Sequence, residues 1–284
     1  MMIRFFMVLF VYLLLGYSAK AQKVQLKIIS YNVLKGLQHD LQNMARFDRW
    51  IRRESPDIVF YQEMNGFSQI EIEKFAAGYG HPYAVIAKEH GYPVAISSRF
   101  PIVNVKKVLD NMWHGYISAN IAGINVFAVH LSPFNREKRL CEVAEILAAA
   151  ALSQKSVPVL IAGDFNSYLA QDSIFYSQEA LSAQIKREGG NPEIRNLNGL
   201  NFDYKVTGKM KEAGFSNAVN LFHEDFQYTM PTKSHDAPFK MKIRIDYLWL
   251  NQAARRKALS AEVIYDDDTD HISDHYPLSL QLSN

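Results

Sequence analysis

Cysteine is almost absent from this 284-residue chain: Cys141 is its only one. No intrachain disulfide can form, and neither a second cysteine nor grouped histidines exist to build a zinc site. The fold must rest on its hydrophobic core, which the length permits. Cys141 itself reads as a small filler on a helix. A comfortable transmembrane run is also missing, since that needs about 20 apolar residues. The shorter run Phe5–Leu15 follows Arg4 and precedes the small-x-small triplet Ala19-Lys20-Ala21. Residues 1–21 therefore read as a signal peptide cleaved near Ala21, which makes the protein exported; an N-terminal membrane anchor is the alternative. Charge of one sign is lacking too. Without Arg4 and Lys20, 29 basic residues face 29 acidic ones. Bulk positive charge is thus not how residues 22–284 would grip a long polyanion. A nuclease is not excluded, because a bound metal supplies local positive charge. No Gly/Ser- or Pro-rich linker and no internal repeat divides these residues, so they read as one large domain.

What the chain does have is an alternation of short apolar runs with a few helices. Strands are expected at 24–31, 58–62, 83–87, 94–98, 103–109 and 116–121. Further strands are expected at 125–129, 159–162, 243–250, 261–265 and 277–281. Gly123 marks a hairpin. Helices are expected at 45–54, 68–77, 136–153 and 207–213, with Ser68 and Glu71 as a capping box. In the long helix, Leu140, Val143, Ala144, Leu147 and Ala151 form the stripe that packs on a sheet. Arg136, Glu137, Lys138, Arg139 and Glu142 form its solvated face. The acidic run Asp266–Asp268 with Asp270 reads as a solvated loop. Two sheets with helices outside them is the packing this pattern suggests.

Polar residues recur where the apolar runs stop. The run ending at Ala162 delivers Gly163-Asp164-Phe165-Asn166, which sets a carboxylate and an amide on one face of a strand end. A carboxylate there can accept a proton from water while the amide holds a phosphate or the water. Asn32 closes Ile28–Tyr31, Glu63 closes Ile58–Gln62, and His130 closes Asn125–Val129. Asp246 follows Arg244-Ile245, and Asp274-His275 precedes Tyr276-Pro277. Each alone has an ordinary reading as a turn, cap or core residue.

Together, in this order and spacing, they resemble the endonuclease/exonuclease/phosphatase superfamily, the deoxyribonuclease-I-like fold, from about Gln25 to Leu282. The resemblance implies an α/β architecture, specifically a four-layer α/β/β/α sandwich with the site at one end of the sheets. It also implies roles. The family's metal-site Asn and Glu match Asn32 and Glu63, and its D-x-N matches Asp164 and Asn166. Its orienting aspartate matches Asp246, and its terminal Asp-His matches Asp274 and His275.

Those residues suit phosphoester hydrolysis. Glu63 is a hard oxygen donor for Mg²⁺ or Mn²⁺. Asn32 can add an oxygen or position that carboxylate, and Asp274 can reach the same metal. Asp164 orients and deprotonates water. His275, held by Asp246, hydrogen-bonds the scissile phosphate and offsets its charge. His130-Leu131-Ser132 is similar to the deoxyribonuclease I, sphingomyelinase, 5-phosphatase and deadenylase branches, whereas abasic-site endonucleases use a tyrosine near this point. Trp113-His114 and Tyr228–Thr232 read as loops near the site end. The expectation is an exported, metal-dependent phosphodiesterase or phosphatase. Its partner is a phosphoester substrate, in nucleic-acid fragments or small phosphorylated metabolites, and it acts as a monomer without an obligate protein partner. A sphingomyelinase-like headgroup hydrolase and a non-catalytic binding module are the alternatives.

Overall fold

The computed structural model describes residues 25–236 and 241–283; the expected signal peptide lies outside them. Strand β1 (Gln25–Asn32) leads through a short turn, α1 (Leu34–Leu37), into α2 (Leu41–Glu54). Strand β2 (Ile58–Gln62) precedes α3 (Gln69–Gly78), β3 (Tyr83–Ile86) and β4 (Ala95–Ser98). Then come β5 (Val103–Val108), β6 (Tyr116–Ile121), β7 (Ile124–His130), α4 (Arg136–Ala151) and β8 (Val159–Asp164). An excursion carries α5 (Gln178–Gly190), α6 (Lys205–Glu212) and β9 (Ser216–Asn217). The chain ends with β10 (Asp246–Leu250), α7 (Gln252–Arg255), β11 (Ala258–Val263), α8 (Thr269–Ile272) and β12 (Leu278–Ser283).

The strands form two six-stranded sheets, ordered β11-β12-β1-β2-β4-β3 and β5-β6-β7-β8-β10-β9. Alternation along each strand decides the layers. Ile28, Phe60, Ile96, Val126, Leu160, Ala162 and Leu248 point into one core between the sheets. Their neighbours Ile29, Val59 and Tyr61 point outward onto Phe47, Trp50 and Ile51 of α2 and Ile72 of α3. On the other side Val129, Ile161 and Trp249 meet Val143, Ile146 and Ala150 of α4 and Met210 of α6. Period-two strands buried on both faces, with a helix layer outside each, make the expected α/β/β/α sandwich.

Several expectations shift. Helix α2 begins at Leu41 rather than Ala45, because the Asp40 side chain caps it by accepting from the Asn43 N–H at 2.9 Å. The Ser68–Glu71 capping box is present. Strand β10 begins at Asp246, since Ile243 is drawn aside to pair with Met230. Helix α5 was not expected; none of its residues is fully buried, and its apolar face is limited to Ala180, Leu181 and Ile185, which pack on Tyr176, Leu197 and Phe202. The acidic loop is not merely solvated: Asp266 and Asp268 take Arg53 at 2.6 and 2.8 Å, and Asp270 takes Lys233 at 2.6 Å. In α4 the buried stripe is Arg139, Glu142, Val143, Ile146 and Ala150, one position round from the stripe read off the sequence. Ala144 and Ala151 are exposed, and so is Cys141, which fills nothing.

Candidate active site

The central pair of each sheet is parallel, β1 with β2 and β7 with β8. Parallel neighbours end side by side, so four strand ends emerge at one end of the sandwich. In the first sheet Asn32 pairs with Gln62, which leaves Glu63 one residue beyond. In the second, His130 pairs with Asp164 and Asp164 with Asp246. Residues on one rung project to the same face, so three adjacent strands present these side chains together. Asp274 and His275 sit just before β12, which runs antiparallel to β1 and therefore starts beside its end. The Ser273 hydroxyl locks that approach by donating to the Asn32 carbonyl at 2.7 Å.

Backbone conformation at these ends is unusual. Gly163 has φ +145°, and a Cβ there would lie 1.9 Å from the Val129 carbonyl oxygen. Only glycine lets β8 come this close to β7 immediately before Asp164. Glu63 and Asn166 adopt φ of +61° and +46° without being glycine. Such strain persists where surrounding contacts enforce it. At Asn166 the enforcing bonds are its N–H to Asp164 Oδ1 at 2.8 Å and its amide to the Leu131 carbonyl at 3.0 Å. At Glu63, Oε2 accepts the Lys35 N–H at 3.0 Å and Oε1 faces the Asn32 amide at 3.4 Å.

The side chains form one connected network across the two sheets. His275 Nδ1 and Asp246 Oδ2 are 2.8 Å apart. Asp164 Oδ2 receives the Asn32 amide at 3.2 Å, with His130 Nε2 at 3.6 Å and His275 Nε2 at 4.0 Å. Six of the eight residues expected from sequence line a single cleft of about 490 Å³: Glu63, His130, Asp164, Asn166, Asp274 and His275. Asn32 and Asp246 stand behind it, bonded to those that do. The Asn32 oxygen accepts the Leu34 N–H at 3.2 Å. In this placement the Asn32 amide nitrogen spans the carboxylates of Glu63 and Asp164 and positions them, one of the two roles expected for it.

Burial sets the charges. It pushes the Asp164 carboxyl up to about 8, with the neighbouring Asp246 adding to the rise and His275 and the Asn166 N–H opposing it. Burial alone would lower His275, but the carboxylates of Asp246, Asp274 and Asp164 outweigh it and hold the imidazole well above its ordinary value. His130 goes the other way: burial, then His114 and His275, keep it neutral. His114 stacks on His130 at 4.1 Å and is itself pushed down to about 3 by burial. Glu63 is raised by burial, with His275 offsetting part of the rise.

Two places could attract a cation. Asp164, Asp246 and His275 offer three ligand atoms within 4.8 Å of one another. A metal there would have to replace the proton that the His275–Asp246 pair shares. Glu63 fits better, because its carboxylate lines the cleft and its two donors, a backbone N–H and an amide, carry no charge. Asp274 lines the same cleft and raises Glu63 further. Two hard carboxylates sharing one space suit a small dication that keeps several waters.

The cleft also has members not expected from sequence. Arg139 is buried, not solvated, and lines it with Tyr168, Gln184, Arg187 and Asn196 from the excursion after β8. Glu142 is buried as well, accepting the N–H of Trp113 at 2.6 Å and of Ser132 at 2.8 Å. Arg139 stands four residues before Val143 and seven before Ile146, so it prolongs the apolar stripe; that spacing was the available signal. Both loops reach the cleft, one through Trp113-His114 and the other through Met230, while Tyr228 packs locally on Tyr265 and Tyr276.

With that geometry in hand, comparison with known proteins is informative. The model of the Endonuclease/Exonuclease/phosphatase family matches residues 29–275. None of the curated proteins matches the chain. Among solved structures, an AP endonuclease from Archaeoglobus fulgidus is 19% identical with a TM-score of 0.65, covering 90% of this chain and 98% of its own. A 3'-5' exonuclease from Neisseria meningitidis is 17% identical with a TM-score of 0.69, covering 91% and 100%. D. rerio TDP2, solved with a single-strand DNA product, is 17% identical with a TM-score of 0.63, covering 92% and 99%. At these identities the likeness carries the fold.

Proposed function

Because the chain belongs to the endonuclease/exonuclease/phosphatase family, and is a hydrolase of phosphoester bonds, we propose that it is an exported, Mg²⁺- or Mn²⁺-dependent phosphodiesterase or phosphatase. Its substrates are nucleic-acid fragments or small phosphorylated metabolites. The observation that carries this reading is the junction of the two sheets. There His275, backed by Asp246 at 2.8 Å, faces the buried carboxyl of Asp164 across 4.0 Å, and Asp164 is itself held by the Asn32 amide and the Asn166 N–H.

In this reading His275 donates from Nε2 to a phosphoryl oxygen, and Asp246 keeps its ring oriented and charged. Asp164, aimed by the Asn166 N–H and the Asn32 amide, takes the proton of the attacking water; burial raises its pKa and with it its strength as a base. His130, neutral and 3.6 Å from Asp164, supplies an uncharged donor beside it. Glu63 and Asp274 would hold the dication, which when bound neutralises phosphoryl charge and lowers the pKa of water. The cleft volume falls within the range usual for small-molecule sites. Trp113 is an exposed member of the cleft lining, its backbone tied to Glu142 and its ring edge-on to a partly exposed Phe134 at 5.6 Å, and a sphingomyelinase-like headgroup hydrolase is the alternative reading.

The test uses protein harvested from the exported fraction of its host, where a mature chain starting near Gln22 is expected. Turnover is measured with Mg²⁺ on DNA, RNA, bis-p-nitrophenyl phosphate, inositol phosphates and sphingomyelin. Hydrolysis of nucleic-acid fragments or small esters, abolished by EDTA and restored by Mg²⁺ or Mn²⁺, is the expected result. Full activity in EDTA would sink it.

A further inference from the structure

Arg139 is a buried cation with no direct ion pair among the described residues; the carboxylates of Asp203, Glu142 and Asp164 act on it only at a distance. It is 2% exposed. Its Nη1 donates to two neutral acceptors, the Ser132 carbonyl at 2.9 Å and Asn196 Oδ1 at 2.7 Å. Its Nε is buried with no partner at all. Burial lowers its pKa to about 10, so it stays charged at neutral pH. The nearby carboxylates are committed elsewhere. Glu142 holds the amides of Trp113 and Ser132, Asp203 faces Arg136 at 3.4 Å, and Asp164 belongs to the network above. Glu188 of α5 is spent on the N–H groups of Asn196 and Leu197, at 2.7 and 2.8 Å. The same fold treats its other deeply buried arginine quite differently: Arg244 meets Asp172 with two bonds, at 2.9 and 2.6 Å. A buried guanidinium that makes no direct ion pair is only partly compensated, and Arg139 lines the cleft.

Its position relative to the reacting centre follows from three successive carbonyls. Leu131 accepts from Asn166, Ser132 from Arg139, and Pro133 from the Asn196 amide at 2.9 Å. Arg139 is therefore anchored one residue along from the asparagine that steadies Asp164. Arg187, exposed on α5, lines the cleft as well. We propose that Arg139, with Asn196 beside it and Arg187 at the rim, forms a second anion subsite that takes a phosphate next to the one being hydrolysed. Preferred substrates then carry two phosphate groups, whether along a nucleotide chain or on a phosphorylated sugar. A guanidinium suits this task because its planar fork matches phosphate oxygens. This deepens the phosphoesterase reading and rests on it for the identity of the first phosphate.

Two pairs of compounds separate the sources. Thymidine 5'-(p-nitrophenyl) phosphate is compared with its 3'-phosphorylated form, and glucose 1-phosphate with glucose 1,6-bisphosphate, as ratios of kcat/KM with Mg²⁺. In parallel, calorimetry in EDTA compares the binding of thymidine 3',5'-bisphosphate with thymidine 5'-phosphate. The wild-type protein should favour the doubly phosphorylated member of at least one pair, and the bisphosphate in binding, by at least about tenfold. Arg139→Gln should bring those ratios toward one. Because Arg139 is buried, Arg187→Ala serves as the variant with little risk to folding, and it should reduce them in the same direction. Equal ratios in the wild type, or ratios untouched by both substitutions, would overturn the subsite. Preference in binding without turnover on any ester would uphold the subsite and fell the proposed function. Turnover without preference would do the reverse.

Discussion

At the scale of single residues, the polar ends of the apolar runs were legible, and their partners were not. Asn32, Glu63, Asp164, His275 and the rest stand out because a carboxylate, amide or imidazole closes an apolar run. Which atom meets which depends on strand register, and no single run contains that. The His275–Asp246 contact spans 29 residues and the Asn32–Asp164 contact 132. Asp246→Asn keeps the shape of its contact and removes the charge. Turnover should fall at least about a hundredfold with little change in melting temperature, and the pH–rate profile should shift as His275 loses its supporting carboxylate. A near-normal rate would remove Asp246 from the chemistry. His114 lends itself to a stability test. Its pKa falls from 6.5 to about 3 on folding, through burial first and Lys88 second. Between those values the unfolded chain binds the extra proton, so stability is full above the unfolded value and declines as pH drops below it. His114 Nε2 has no partner, so His114→Phe can keep the stack on His130 without leaving a new polar vacancy. Plotted from pH 7 to pH 4, the melting temperature of the variant should decline less steeply than that of the wild type. Parallel curves would refute the assignment.

At the scale of elements, visibility followed burial. Strands packed on both faces, such as β2 and β8, announce themselves as apolar runs. Helix α5 packs only a short, half-buried face of Ala180, Leu181 and Ile185 and so carries a weak periodic signature, yet it brings Gln184 and Arg187 to the cleft. Helix α4 packs through Val143, Leu140 and Leu147 as expected, but its most buried line runs through Arg139, Glu142, Ile146 and Ala150, and Ala144 and Ala151 face solvent. Charged residues on a buried stripe are discounted by any hydrophobic pattern, and here one of them, Arg139, lines the cleft. The Arg244–Asp172 pair shows elements holding one another. It ties the 3-10 turn 170–175 to the residues leading into β10, two positions before Asp246. Breaking it leaves a buried charge alone, so Asp172→Asn should cost about 3–5 kcal/mol in denaturant unfolding. A loss well under 1 kcal/mol would mean that water reaches the arginine.

At the scale of the whole molecule, the site is divided evenly. The first sheet and its flanks supply Asn32, Glu63, Asp274 and His275; the second supplies His130, Asp164, Asn166 and Asp246. The layered fold was readable from alternation and motif order, but this division was not, since it needs the pairing of strands far apart in sequence. Packing between the sheets should therefore matter to chemistry more than packing outside them. Leu248→Ala, in the inter-sheet core, should cost about 2–5 kcal/mol and lower kcat as well. A variant of equal thermal loss on the outer face, such as Ile51→Ala, should keep kcat close to normal. Equal kcat in the two at matched melting temperature would show that the junction tolerates sliding. The pairing of β1 with β12 also makes half of one sheet's contribution depend on a single seam. Asp274 and His275 take their places only once β12 (Leu278–Ser283) lies along β1. Loosening that one seam would displace two of the four residues that the first sheet brings to the cleft, while β2 with β4 and β7 with β8 stay paired.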